Sequence, residues 1–240
     1  MLHAQWIVTD LDETLLNRDR KISPRSLQAI RAIRNTGVKF AIATTRSRGL
    51  ATAYIDLLQP DAMVLSGGAL AYQGTALSYY KPIEAVHAAR LLEQFSQSDE
   101  ISSVVMDSAS GRIVCDRGTI LSPEVALYSI FFWAPEPTAK RIAEDWKDHC
   151  TVTALWQPEM YRISHRMATK HHALQSLFHE VTAGEVICFG DDLMDEGMLR
   201  HFYGVAVANA HPQVREASDE ITLHHDSDGV AHWIESRLLL

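Results

Sequence analysis

Three short clusters of acidic and hydroxyl residues stand out: Asp10-Leu11-Asp12-Glu13-Thr14, Thr44-Thr45-Arg46-Ser47 and Gly190-Asp191-Asp192-Leu193-Met194-Asp195. In an extended segment residues i and i+2 face the same way, so Asp10 and Asp12 converge on one point. Adding Asp191 and Asp195 would crowd several carboxylates into one crevice. Two unit charges about 4 Å apart repel by roughly 4 kcal/mol at an effective dielectric near 20. Such a crevice calls for a cation. All-oxygen ligands suit a hard metal, and Mg²⁺ commonly takes one or two carboxylates and leaves its other positions to water and phosphate. Lys170 can supply further positive charge. Either Asp of an Asp-x-Asp pair alone can serve as a simple cap, so the weight rests on the three clusters together.

The surrounding sequence shows how these residues are positioned. Gln5–Thr9, Val38–Ala43 and Met63–Leu65 read as buried strands, each running into one of the polar segments or into Ser66-Gly67-Gly68. Between them, Ser23-Pro24 opens a helix with Leu27, Ile30 and Ile33 on one face, and Gly49–Leu58 reads as a second helix. After Ala168 the alternation returns, with a helix over Lys170–Val181, strands at Glu185–Phe189 and Gly204–Val207, and a last helix from Asp228. Strands alternating with helices predict a parallel sheet wrapped on both faces. Ligands of such open α/β sheets collect beyond the carboxyl ends of the strands, where the clusters fall.

The rhythm changes near Tyr79. A helix over Glu84–Gln97 and another over Thr138–His149 sit among strand-like pieces at Ser102–Met106, Arg112–Cys115, Tyr128–Trp133, Thr151–Trp156 and Met160–Ser164. This is the pattern of an α+β unit with an antiparallel sheet. The fold expected is therefore α/β: a doubly wound, Rossmann-like core over 1–79 and 167–240, with an inserted α+β cap over 80–166.

Composition narrows the function. With 47% hydrophobic residues the chain can bury a full core, and its net charge of −8 argues against a broad basic face for nucleic acid. No apolar run reaches the roughly 20 residues of a membrane span, and Met-Leu-His-Ala-Gln-Trp is unlike the start of a signal peptide. Cys115, Cys150 and Cys188 are odd in number and widely spaced, and read as buried thiols of a reduced compartment. The expectation is a cytoplasmic protein without a nucleic-acid or membrane partner, acting as a monomer or small homo-oligomer. His171-His172 and His224-His225 read as surface residues, because neighbours on a helix point apart. Phe131-Phe132-Trp133 reads as a buried cap strand. Arg112, Arg117, Arg162, His165 and Arg166 could meet an anionic or hydroxylated substrate, although surface solvation is the default for each.

These residues resemble the haloacid dehalogenase superfamily, specifically its Cof-like phosphatases with an inserted α+β (type II) cap. Asp10–Thr14 matches the DxDxT signature, Ala43–Ser47 is similar to ATGRS, Lys170 fits the lysine motif, and Gly190–Asp195 is similar to GDxxND. Ser66–Ala69, Val205–Ala210 and Asp228–Ala231 resemble further segments of the family in the expected order. The resemblance implies that Asp10 attacks phosphorus to form an aspartyl-phosphate, and that Asp12 protonates the leaving alcohol and then deprotonates water. It implies Mg²⁺ held by the Asp10 carboxylate, the Asp12 carbonyl and Asp191, phosphate contacts from Thr44 and Lys170, and an orienting role for Asp195. Thr45, Arg46 and Gly67 lie in supporting positions. Three departures accompany it: Thr45 for a glycine, Gly67 for an asparagine and Met194 for the asparagine of GDxxND.

The implied activity is a Mg²⁺-dependent phosphatase acting on a small phosphorylated metabolite, such as a sugar phosphate. A phosphomutase would use the same aspartyl-phosphate but return the phosphoryl group to a sugar. A phospho-acceptor signalling module also combines Asp, Mg²⁺ and Lys, but is about half this length and carries no cap. A catalytically weak phosphate-binding protein is the remaining alternative.

Overall fold

The computed structural model describes residues 3–115, 125–155 and 157–239. The chain divides into two compact units, one built from 1–79 and 169–240, the other from 80–168. In the first, β1 (Trp6–Thr9) leads through α1 (Pro24–Asn35) to β2 (Lys39–Ala43), then through α2 (Arg48–Leu58) to β3 (Ala62–Leu65). Ser23 caps α1, its hydroxyl accepting the Ser26 N–H at 3.0 Å with Pro24 at the first helical position. The chain then turns back as β4 (Leu70–Gln73) and β5 (Ala76–Tyr80).

The second unit holds α3 (Ala85–Ser96), β6 (Ser103–Ser108), β7 (Gly111–Cys115), β8 (Leu127–Trp133), α4 (Glu136–Trp146), β9 (Cys150–Ala154) and β10 (Met160–His165). Its strands form one five-stranded sheet in the order β7-β6-β8-β10-β9, with antiparallel pairing throughout. Leu91 and Phe95 of α3 and Ile142 of α4 close a core with Met106, Ile130, Phe132 and Ile163. Trp156 and Arg117 lie outside the described residues.

The chain re-enters the first unit through α5 (Lys170–Leu177), β11 (Val186–Gly190), α6 (Glu196–His201), β12 (Tyr203–Ala206), α7 (Pro212–Ala217), β13 (Glu220–Ile221) and α8 (Gly229–Arg237). The order across the sheet is β13-β12-β11-β1-β2-β3-β4-β5. β1 is central and pairs in parallel with β2 on one side and with β11 on the other. The chain winds outward from β1 in both directions, which makes the end of β1 the switch point where an open α/β sheet binds ligands.

One face of the sheet buries Trp6, Val8, Ala41, Val64, Val186 and Cys188 against Leu174 of α5, Phe178 just after it and Met198 of α6. Intervening residues such as Ile7, Phe40, Ile42 and Ile187 are also fully buried, as the two-residue alternation of a doubly covered sheet requires. On that second face the Phe189 and Trp233 rings meet edge to face at 5.3 Å.

Three expectations need correction. The sheet is not wholly parallel: the tight turn at Ser66–Gly68, with Gly67 at φ 65° and Gly68 at φ 101°, brings the chain back so that β4 pairs antiparallel with β3. The helix from Lys170 stops at Leu177, four residues short of Val181, where the Phe178 N–H closes the last turn on the Leu174 carbonyl. Cys115 is only partly buried, whereas Cys150 and Cys188 are buried. No helix among the described residues is long and apolar enough to cross a membrane.

Candidate active site

Asp10 follows directly on β1, and its N–H donates to the Phe189 carbonyl of β11 at 3.0 Å. The chain then makes a wide turn closed by Leu16 N–H to Leu11 C=O, with Glu13 in the left-handed region at φ 55°. That turn delivers Asp10 to the switch point with only 6% of its surface exposed. The Lys170 ammonium, at the first residue of α5, donates to Asp10 Oδ1 at 2.7 Å and to Asp195 Oδ1 at 2.5 Å. Asp195 is fully buried, and its second oxygen accepts the N–H groups of Asp191 and Asp192 at 3.1 and 3.2 Å. Asp191 Oδ1 accepts from the Thr14 hydroxyl at 2.6 Å.

Two glycines permit this closeness. A Cβ on Gly190 would lie 2.5 Å from that of Asp195. Gly68, at φ 101°, lets the loop after β3 abut the start of α5; a Cβ there would lie 2.1 Å from the Thr169 carbonyl carbon. Gly68→Ala is expected to cost roughly 1–3 kcal/mol through overpacking and backbone strain, and to lower activity by displacing Lys170. Thermal melts and phosphate release check this, and an unchanged melting temperature would count against the contact.

The electrostatics follow from burial. Asp10 is pushed up to about 7, chiefly by burial, against the pull of Lys170. Asp191 is pushed up to about 9, by burial and then by the charges of Asp10 and Asp195. Burial opposes the Lys170 charge, yet the two carboxylates it touches hold it above the ordinary lysine range. One ammonium therefore faces three carboxyl groups, and protons make up the deficit.

A divalent cation fits the same place. Asp10, Asp191 and Asp195 each offer an oxygen within 4.8 Å of the others. Asp195 is already engaged by Lys170 and two backbone N–H groups, which leaves the second oxygens of Asp10 and Asp191 as the open donors, a set suited to a hard ion. Because the ion must displace protons from groups titrating near 7 and 9, its apparent affinity is expected to rise as pH rises through that range. Isothermal titration with Mg²⁺ at pH 6, 7.5 and 9 checks the sign; an affinity independent of pH would contradict it.

Other predicted site residues fall around this cluster. Thr44 is fully buried beyond β2; its hydroxyl accepts the Arg46 N–H at 3.1 Å and its carbonyl accepts the Gly67 N–H at 3.0 Å. Thr45 is partly exposed on the same loop. The Asp12 carboxylate lies outside the lysine-centred group: both of its oxygens accept from Arg46, at 2.6 and 2.8 Å. Sequence reasoning assigned no role to Thr14, although the last position of DxDxT carried the signal. It gave no sign that Arg46 and Asp12 would pair.

A model of the haloacid dehalogenase-like hydrolase family matches residues 7–117 and 116–234. The chain belongs to the haloacid dehalogenase-like hydrolases. The phosphatase YwpJ of Bacillus subtilis (strain 168) is 25% identical, with 97% of this chain and 99% of that protein covered. Among solved structures, the haloacid dehalogenase subclass IIB sugar phosphatase BT4131 superposes with a TM-score of 0.83 at 19% identity, covering 99% of this chain and 100% of its own. BT1666 of Bacteroides thetaiotaomicron, described among phosphatases of the superfamily, gives 0.84 at 20% identity over 98% and 95% of the two chains. This haloacid dehalogenase-like protein is an enzyme, a hydrolase of the phosphatase type.

Several tempting groups are accounted for otherwise. Contrary to the expectation that neighbouring histidines point apart, the His171 and His172 rings stack at 5.1 Å and those of His224 and His225 at 4.6 Å. The first pair is joined by His201, 4.9 Å from His171, and the second lies on a tight single turn rather than an α-helix. His224, His225 and Asp226 are close enough together for a metal, but Asp226 accepts the Arg18 backbone N–H at 2.9 Å and its guanidinium at 2.6 and 2.8 Å. In the second unit Arg162 is only 2% exposed rather than solvated, and donates to Ser129 and Ser164 at 3.0 and 3.1 Å. Arg112 pairs with Asp107 at 3.0 Å, the His165 ring accepts the Met167 N–H at 3.0 Å, and Arg166 is exposed.

Proposed function

We propose that the protein is a Mg²⁺-dependent phosphatase that takes the phosphoryl group of a small metabolite, a sugar phosphate by preference, onto Asp10 and then onto water. The observation carrying this reading is the Asp10–Lys170–Asp195 chain at the switch point, with the Asp191 carboxylate beside it. Phosphoryl transfer is mostly positioning and charge neutralisation, and this cluster supplies both.

In the first step an oxygen of Asp10 attacks phosphorus, the ester P–O bond breaks, and Asp12 gives its proton to the departing alkoxide. In the second, Asp12 takes a proton from water as the water oxygen bonds to phosphorus and the Asp10 carboxylate leaves. Lys170 favours the ionised form of Asp10 and aims it, and Thr44 offers its hydroxyl to a phosphoryl oxygen. Asp10, Asp191 and the Asp12 carbonyl would hold Mg²⁺, which when bound neutralises charge on the phosphate. The preference for sugar phosphates is supported by the description of the BT4131 protein as a sugar phosphatase.

Phosphate release should be measured over a panel of sugar, nucleoside and short-chain phosphates, with Mg²⁺ and with EDTA. Release from at least one sugar phosphate, abolished by EDTA, is expected. No release from any member would overturn the proposal, and phosphate returned to a sugar instead of water would mark a mutase.

A further inference from the structure

Asp12 must move a proton twice in the reaction proposed above, yet its side chain is 42% exposed and stands on an irregular turn. What fixes it is Arg46. The guanidinium meets the carboxylate as a two-toothed fork, Nη2 to Oδ1 at 2.6 Å and Nε to Oδ2 at 2.8 Å. A fork of this kind sets both the plane and the direction of a carboxylate, which a lysine cannot do.

Arg46 is itself held at both ends. Its backbone N–H donates to the Thr44 hydroxyl at 3.1 Å, and its carbonyl accepts the Ser66 N–H at 2.8 Å. At the other end, Nη1 donates to the Leu50 carbonyl at 3.3 Å and the guanidinium carbon lies 4.9 Å from the centre of the Tyr54 ring. Leu50 and Tyr54 are four residues apart on α2 and so share a face of that helix. The Tyr54 hydroxyl donates to the Arg20 carbonyl at 3.0 Å, tying that ring to the segment downstream of Asp12.

We propose that Arg46, braced by the Tyr54 ring and the Leu50 carbonyl of α2, is the positioning residue that orients the Asp12 carboxyl for proton transfer, with Tyr54 acting through Arg46. The inference rests on the phosphatase reading and adds two residues to it.

The test compares an alkyl phosphate, whose alkoxide needs a proton to leave, with p-nitrophenyl phosphate, whose phenolate departs without one. Arg46→Leu and Arg46→Lys are expected to lower kcat/KM for the alkyl ester by about 100-fold and for the aryl ester by less than about fivefold. Tyr54→Leu should shift the two esters in the same unequal way by about tenfold, and Tyr54→Phe, which keeps the ring, should restore wild-type selectivity. The lysine variant keeps the charge and guards against loss of fold, which a thermal melt checks in each case. Equal losses on both esters would show a merely structural role and overturn the inference. So would a Tyr54→Leu enzyme with wild-type selectivity. A wild-type enzyme inert towards both esters would overturn the phosphatase reading itself.

Discussion

Replacing Asp10 with asparagine is expected to lower phosphate release by roughly 10⁴-fold or more, because the amide cannot form the acyl-phosphate on which both half-reactions depend. The side chain keeps its shape, and Lys170 keeps its Asp195 partner at 2.5 Å, so the fold should survive. A further gain is expected in the apo protein: the substitution removes a carboxyl whose ionisation burial opposes, which leaves the melting temperature in EDTA unchanged or raised. Steady-state release together with a melt in EDTA checks both halves. An Asp10→Asn protein retaining more than a few per cent of wild-type turnover would rule Asp10 out as the nucleophile.

Lys170→Met is expected to reverse that pattern, with a large loss of stability as well as of activity. Its side chain is only 2% exposed, and its ammonium is the partner of two buried carboxylates. Removing one member of a buried ion group and leaving the others costs about 3–5 kcal/mol, or roughly 6–20 °C in melting temperature for a chain of this size. The sign of the pH dependence is fixed too. Without Lys170 the Asp10 carboxyl rises further above its already raised value of about 7, whereas in the unfolded chain it titrates near its ordinary 3.8. The folded state then holds the proton more tightly, so the variant's stability falls as pH rises from the unfolded value through the raised one. Melts of the variant in EDTA at pH 5 and pH 8 should show the larger deficit at pH 8. A second change, Asp195→Asn, should recover part of the loss. Equal deficits at both pH values would mean that Lys170 acts by packing alone.

Much of the fold was legible because its signals are local. Val38–Ala43 and Gln5–Thr9 are short, mainly apolar runs followed by polar clusters, and β2 and β1 lie within a residue of them. Ser23-Pro24 marks the start of α1 by capping chemistry that involves only neighbours. The β4–β5 return was passed over, although Gly74 between Leu70–Gln73 and Ala76–Tyr80 is a hairpin signal. The wide turn at Leu11–Leu15 could not be read, since the left-handed Glu13 is imposed by its surroundings and not by its own preference.

At the site, Asp10, Lys170, Asp191 and Asp195 were grouped by residue type and strand-end position, and the structure places these four together. The Arg46–Asp12 fork was not foreseen. The two residues are 34 apart in sequence, and only the parallel packing of β1 on β2 brings them face to face. Burial of Arg162 escaped notice for a related reason: Ser164 is two residues away on β10, but its other hydroxyl partner, Ser129, comes from the neighbouring strand β8, 33 residues back in sequence.

The central position of β1 has a consequence for how the protein is made. Its neighbour β2 follows soon after it, but Lys170 is 160 residues from Asp10, and Asp191 is 177 residues from Thr14. At about 5–20 residues per second, roughly 8–35 s of synthesis separate the two sides of the site. During that interval the β11-facing edge of β1 has no partner strand, and an unpaired apolar edge is a template for aggregation. The 80–168 unit, whose strands all come from one continuous stretch, faces no such wait. The nascent chain is therefore most vulnerable while the ribosome is still completing the inserted unit, and a chaperone that shields β1 would act in that window.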